Sequence, residues 1–162
     1  MSDSTTAPES VTVERSIDLD APIDEVWQTL TDPDELAGWL GAEVSIDLEP
    51  AGVGQVVDAD GTVRHVLVTT VEPGQRLAWH WWEDGGDLSS VEITTLPLSS
   101  GTRVRVIETT MIEAAPWRAQ ACAGASPLTT GRWTVALSAL SRLSHASGSR
   151  THHLLVGRGT YR

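Results

Sequence analysis

Along residues 11–19 the apolar side chains Val11, Val13, Ile17 and Leu19 alternate with Thr12, Glu14, Ser16 and Asp18. That is the period of a strand with one face buried. Arg15 breaks the pattern by falling on the apolar side. The period then changes: Ile23, Val26, Trp27 and Leu30 stand at i, i+3, i+4 and i+7, the stripe of an amphipathic helix. Asp20-Ala21-Pro22 ahead of it offers a cap at Asp20 or Ala21 and a proline suited to the first turn, and Asp24 and Glu25 favour the positive end of the dipole. Asp32-Pro33 restarts a second short helix with Leu36, Trp39 and Leu40 on one side.

Alternation returns with Val44, Ile46 and Leu48, which end at Pro50-Ala51-Gly52-Val53-Gly54. No helix follows those glycines, so they read as a turn and not as a nucleotide loop. Strands are expected over 55–59, 63–71, 77–82, 91–98 and 102–111, with Asp60-Gly61 as a hairpin signal after the first of them. Glu72-Pro73-Gly74-Gln75 suits a tight turn joining 66–71 to Leu77-Ala78-Trp79-His80-Trp81-Trp82. With a two-residue loop, Thr70 would oppose Leu77, Val68 would oppose Trp79 and Val66 would oppose Trp81. That face is the one expected to be buried, while His65, Leu67, Thr69, Ala78, His80 and Trp82 make a more polar outer face.

In 102–111 the parity sends Val104, Val106, Glu108 and Thr110 inward and Arg103 and Arg105 outward. Residues 113–127 give no clear period. Ser126-Pro127 caps a final helix in which Trp133, Ala136, Leu137, Leu140 and Leu143 form an apolar stripe. The order is thus one strand, two short helices, an antiparallel run of about six strands and a long helix. An antiparallel sheet has one face to cover, and the last helix is the obvious cover.

Composition narrows the picture. The 162 residues, 40% of them hydrophobic, suit one globular domain with its own core. Residues 1–10 read as a disordered, polar and acidic leader and 147–162 as a flexible basic tail around a domain over 11–146. With no apolar run of about 20 residues and no signal-like start, the expected location is the cytoplasm. Charge is uneven: residues 1–60 hold fifteen acids against Arg15, and residues 101–162 hold eight arginines against two acids. The net of −11 argues against nucleic acid as the main partner. There is no Lys, so no Schiff-base chemistry. There is no Phe, so the seven tryptophans supply nearly all the large aromatic volume, and core filling is the plain role for each. The single cysteine, Cys122, has no partner for an internal disulfide and reads as an inert thiol.

Residues 13–27 (Val-Glu-Arg-Ser-Ile-Asp-Leu-Asp-Ala-Pro-Ile-Asp-Glu-Val-Trp), Asp32-Pro33 with Leu36 and Trp39-Leu40, Ile46-Asp47-Leu48 before a glycine turn, and Val71-Glu72-Pro73 with Arg76-Leu77 and Trp81 together resemble the SRPBCC (START/Bet v 1-like) superfamily. Within it the best match is the group related to the C-terminal domain of the Hsp90 ATPase activator Aha1, over residues 11–146. The resemblance implies an α+β helix-grip fold, a curved antiparallel sheet wrapped around the long C-terminal helix with two short helices after the first strand. It also implies a cavity between sheet and helix, of the kind in which members bind or transform hydrophobic small molecules, lipids or polyketides. No separate N-terminal Hsp90-binding domain is expected ahead of this domain, which tells against a co-chaperone role.

On that fold Trp79 and Trp81 would face the C-terminal helix, Trp133 would face back, and Trp39 would close one end. With Val106 and Leu137 they would line an apolar ligand cavity with few polar groups. Arg15 and Glu108, both inward by parity on strands the fold sets side by side, would form an ion pair in its wall, because a lone buried charge is costly. The expected function is the binding of a hydrophobic, lipid-like or aromatic, small molecule. One alternative is a polyketide cyclase or aromatase-like enzyme in which Glu108 and Arg15 position substrate and move a proton; another is an Aha1-like protein-interaction or stress-response module carried by the acidic surface. No HExxH, CxxC or GxSxG occurs, and neither a metal site nor a cofactor is expected. His65 and His80 read as solvated, and His145 with His152-His153 lacks a metal-ligand spacing.

Overall fold

The structure, a computed structural model, describes residues 9–112 and 127–151. A strand, β1 (Glu9–Leu19), leads into the helices α1 (Ile23–Thr31) and α2 (Pro33–Trp39). Six further strands follow: β2 (Glu43–Ile46), β3 (Val53–Val57), β4 (Val63–Glu72), β5 (Arg76–Trp82), β6 (Leu88–Leu98) and β7 (Gly101–Ile112). A helix, α3 (Pro127–Thr151), closes the described chain. The seven strands form one antiparallel sheet in the order β1-β7-β6-β5-β4-β3-β2. Consecutive strands are neighbours except β1 and β2, which lie at opposite edges; the two short helices carry the chain from one edge to the other.

Local chemistry explains the boundaries. α2 begins where the Asp32 carboxylate accepts the Asp34 backbone N–H at 2.8 Å, with Pro33 just inside. At α1 the cap position falls to Pro22, one or two residues later than expected, and no side chain caps it. Glu9 and Ser10 pair with Ile112 and Met111, so the first strand takes in the last two residues of the expected leader. α3 runs through Ser147 and Gly148 to Thr151, beyond the boundary expected for the tail. Residues 113–126, with Trp117 and Cys122, and residues 152–162 lie outside the described residues.

The β4–β5 register departs from the simple hairpin. Val66 opposes Trp81 and Val68 opposes Trp79, as the pattern requires, but Leu77 opposes Val71 and not Thr70. The loop has three residues: the Gln75 N–H donates to the Glu72 carbonyl at 3.0 Å, with Pro73 and Gly74 between and Gly74 at φ +70°. This is the arrangement of a type II turn, in which the third residue needs a positive φ. A bulge at Thr69 absorbs the extra residue, so the inward side chains return to register. Beside the bulge the turn after β2 joins the sheet, Ala51 N–H donating to Val68 O and Val68 N–H to Gly52 O.

The concave face holds the core. Leu77, Trp79 and Trp81 of β5, Val66 and Val68 of β4, Val91 and Ile93 of β6, and Val104 and Val106 of β7 are buried there with Trp133, Ala136, Leu137 and Leu140 of α3. The helix covers the sheet because its one apolar stripe meets the one apolar face.

Candidate functional site

At the centre of this core lies a carboxylate. Glu108 is 3% exposed, and each of its oxygens accepts an indole N–H: Oε1 from Trp81 Nε1 at 2.9 Å and Oε2 from Trp133 Nε1 at 2.7 Å. β7 aims Glu108 inward by parity, β5 brings Trp81 from two strands away, and α3 brings Trp133 from above. Trp81 and Trp133 stack with ring centroids 5.7 Å apart, and Trp79 meets Trp81 edge-on at 5.9 Å, geometries that aromatic pairs favour. The two tryptophans therefore act as the buried hydrogen-bonding partners of the acid as well as filling volume.

The expected Arg15–Glu108 ion pair is not formed. In the register of β1 and β7, Glu108 opposes Val13 and Arg15 opposes Val106. The Arg15 guanidinium is half-exposed and donates to the Glu14 carbonyl oxygen at 2.7 Å. Parity did place both residues on one face. It could not show that an indole on β5 and another on α3 would reach the carboxylate first. Both carboxylate oxygens accept indole N–H bonds and Arg15 bonds the Glu14 carbonyl, so the two side chains do not meet.

Two arginines cap the cluster. The Arg132 guanidinium lies 4.6 Å and that of Arg64 5.3 Å from the Trp81 ring centroid, within cation–π reach. Both converge on Asp58: Arg132 donates at 2.7 Å to Oδ2 and pairs with Oδ1, and Arg64 Nε lies 3.2 Å from Oδ2. Arg64 also pairs with Glu83 at 2.7 Å, and Arg132 reaches the Leu40 carbonyl at 3.2 Å. The last residue before the β3–β4 turn is thereby tied to α3 and to the end of α2.

Above this network runs an open groove of about 610 Å³, bounded by α2 and the residues after it, by Asp58 and Ala59, and by α3. Its wall is made largely of small or apolar residues: Trp39, Ala42, Gly131, Val135 and Ala139 among them. Trp39 is buried and donates its indole N–H to the Thr29 carbonyl at 3.2 Å, which fixes the ring as a rigid wall. Nothing lies within 4 Å of where a Cβ on Gly131 would stand, so the missing side chain leaves that side of the groove open.

Of the residues expected at the site, Trp79, Trp81, Trp133, Glu108, Val106 and Leu137 come together in the packed interior. Trp39 alone of the set lines the open groove. The Trp79 indole N–H is buried with no acceptor among the described residues, as is Arg132 Nε. Sequence reasoning missed Arg132, Asp58 and Arg64. The available signal was Arg132 beside Trp133 on the apolar side of a helix, the same kind of exception that singled out Arg15. Among the described residues no three His, Cys, Asp or Glu side chains gather as metal ligands would. His65 is not merely solvated, since its Nε2 sits 2.9 Å from Asp84 Oδ1 and its ring packs on Trp82.

An antiparallel sheet gripping a long C-terminal helix, with two short helices bridging its edges, defines the helix-grip class of the SRPBCC superfamily. Within that class the chain belongs to the family of activator of Hsp90 ATPase homolog 1-like proteins, whose profile matches residues 20–143. Comparison with curated proteins by sequence gives no match. Among solved structures the chain is similar to DynU16, a protein of the dynemicin biosynthetic locus, at 24% identity and TM-score 0.69, covering 84% of this chain and 48% of that one. The chain thus spans about half the length of DynU16. It is similar to CalU16 from Micromonospora echinospora at 26% identity and TM-score 0.62, covering 87% and 79% of the two chains. The Aha1 dimer from Colwellia psychrerythraea shares the fold at 18% identity and TM-score 0.61, covering 81% and 93%. No described helix is long and apolar enough to cross a membrane.

Proposed function

We propose that this chain binds a hydrophobic small molecule, lipid-like or aromatic, against α3, with the groove beside Trp39 as the seat. The observation that carries this reading is the groove itself. Its volume of about 610 Å³ falls within the range of small-molecule sites, and its wall is mostly apolar with a few placed polar groups. Asp58 and Arg132 are those groups. In this reading Trp79, Trp81, Val106, Glu108, Trp133 and Leu137 are the rigid support behind the site, and Trp39 is the aromatic contact. Arg15 has no part in it.

Intrinsic tryptophan fluorescence and melting temperature against a panel of fatty acids and polycyclic aromatics test the reading. A ligand at about 100 times its Kd should stabilise the fold by about 2.7 kcal/mol through mass action. Gly131→Leu should abolish that response while the unliganded protein stays folded, because leucine is a better helix former than glycine and its Cβ meets no neighbour. A saturable ligand that binds Gly131→Leu equally well would place the site elsewhere. No response across the panel would overturn the reading.

A further inference from the structure

The convex face of the sheet is not the polar surface that strand alternation leads one to expect. At the end where β5 finishes and β6 begins, His65 opposes Trp82 and Leu88 opposes Met111. Trp81 opposes Ser89, so the next step along both strands sets Trp82 level with Leu88. Beyond the His65–Gln55 pair, further apolar side chains stand on the same face toward the β2 edge: Val63, opposite Val57, and Val53, opposite Leu67. Four of these side chains are widely exposed: Val53 at 67%, Val63 at 41%, Leu88 at 43% and Met111 at 44%. Isolated exposed apolar residues need no explanation, but Trp82, Leu88 and Met111 side by side on three neighbouring strands do.

Charge says what kind of partner fits. The arginines on this face are each held by carboxylates: Arg103 by Asp18, Arg105 by Glu14, and Arg76 by Glu72 and Glu92. Acids lie on and beside this face, with Glu43 opposite Val57 at the β2 edge and Asp84, 94% exposed, just past Trp82. The whole chain carries −11. Such a face repels a second copy of itself, an anionic lipid surface and nucleic acid alike, while it attracts a cation-bearing partner.

We infer that this convex apolar face, independent of the groove against α3, docks an amphipathic, arginine- or lysine-rich segment of a partner protein. The segment's apolar side covers Trp82, Leu88 and Met111, and its cations meet the acidic rim at Asp84 and Glu43.

The test uses fluorescein-labelled peptides of equal length: alternating leucine and arginine, alternating leucine and glutamate, and alternating glycine and arginine. Fluorescence anisotropy should show saturable binding of the leucine–arginine peptide that weakens with added salt, and about tenfold weaker binding of both controls. The double variant Leu88→Ser, Met111→Ser should weaken it by about tenfold as well. Because both side chains are more than two-fifths exposed, its melting temperature should stay that of the parent, which shows that the loss is not unfolding. Equal binding of the glycine–arginine peptide would reduce the effect to charge alone and overturn the inference. Binding unchanged in the double variant, or no binding at all, would overturn it too, as would a dimer in sedimentation that the double variant dissolves.

Discussion

Glu108 shows how much a single inward position can decide. A carboxylate in a core is costly unless its oxygens are satisfied, and here two indole N–H groups satisfy both. Glu108→Gln keeps the shape but leaves one acceptor oxygen, and its amide N–H₂ faces the second indole N–H. We expect a loss of about 2 kcal/mol, the scale of a charge-assisted hydrogen bond exchanged for an unsatisfied buried donor. Urea unfolding measures it, and a change below about 0.5 kcal/mol would mean that the indoles contribute packing only. The inward direction of Glu108 was legible in the alternation Val104, Val106, Glu108. Its partners were not, because they come from a strand and a helix that are distant in sequence, 27 and 25 residues away.

At the scale of elements, the β4–β5 hairpin sets the tryptophan strand against its neighbours. Its loop depends on Gly74, whose φ of +70° an L side chain adopts at a cost, although a Cβ there would touch nothing. Gly74→Ala should therefore cost about 1 kcal/mol by conformation alone, read as a lowered melting temperature with the fold retained. A neutral substitution would show that the loop relaxes to another turn. The Pro-Gly pair announced a tight turn. Whether the loop held two residues or three depended on the bulge at Thr69, which forms where the Ala51-Gly52 turn bonds to Val68. Period-two patterning survives such an insertion only because the extra residue is left out of the pairing, so the pattern alone does not reveal it.

At the scale of the whole molecule, the convex face joins β1 to β7 with bidentate pairs, Glu14 to Arg105 and Asp18 to Arg103. The arginine hydrogen bonds hold both carboxyls below their ordinary values of 4.5 and 3.8, against a smaller opposing effect of desolvation. The unfolded chain thus takes up protons first as pH falls. The contribution of these pairs is present above those ordinary values and is lost as pH drops through the lower, folded ones. Thermal melts from pH 7 to pH 3 should show the loss beginning between about pH 4 and 5, and the double variant Arg103→Gln, Arg105→Gln should flatten it. Both carboxylates are exposed, so the effect is small and shrinks with salt. An unchanged acid slope in the variant would assign acid unfolding to other groups.

The element order, the inward faces of β1, β4, β5 and β7 and the apolar stripe of α3 were legible in the chain alone, because periodicity, caps and turn residues are local properties; the superfamily was legible as a resemblance. Tertiary structure was needed to see that Glu108 bonds Trp81 and Trp133 and not Arg15, that Asp58 gathers Arg64 and Arg132, and that a groove opens beside Trp39. Those outcomes depend on which long side chain arrives first at a shared point. Competition between groups on different elements is settled by distance in space, which a one-dimensional pattern does not contain.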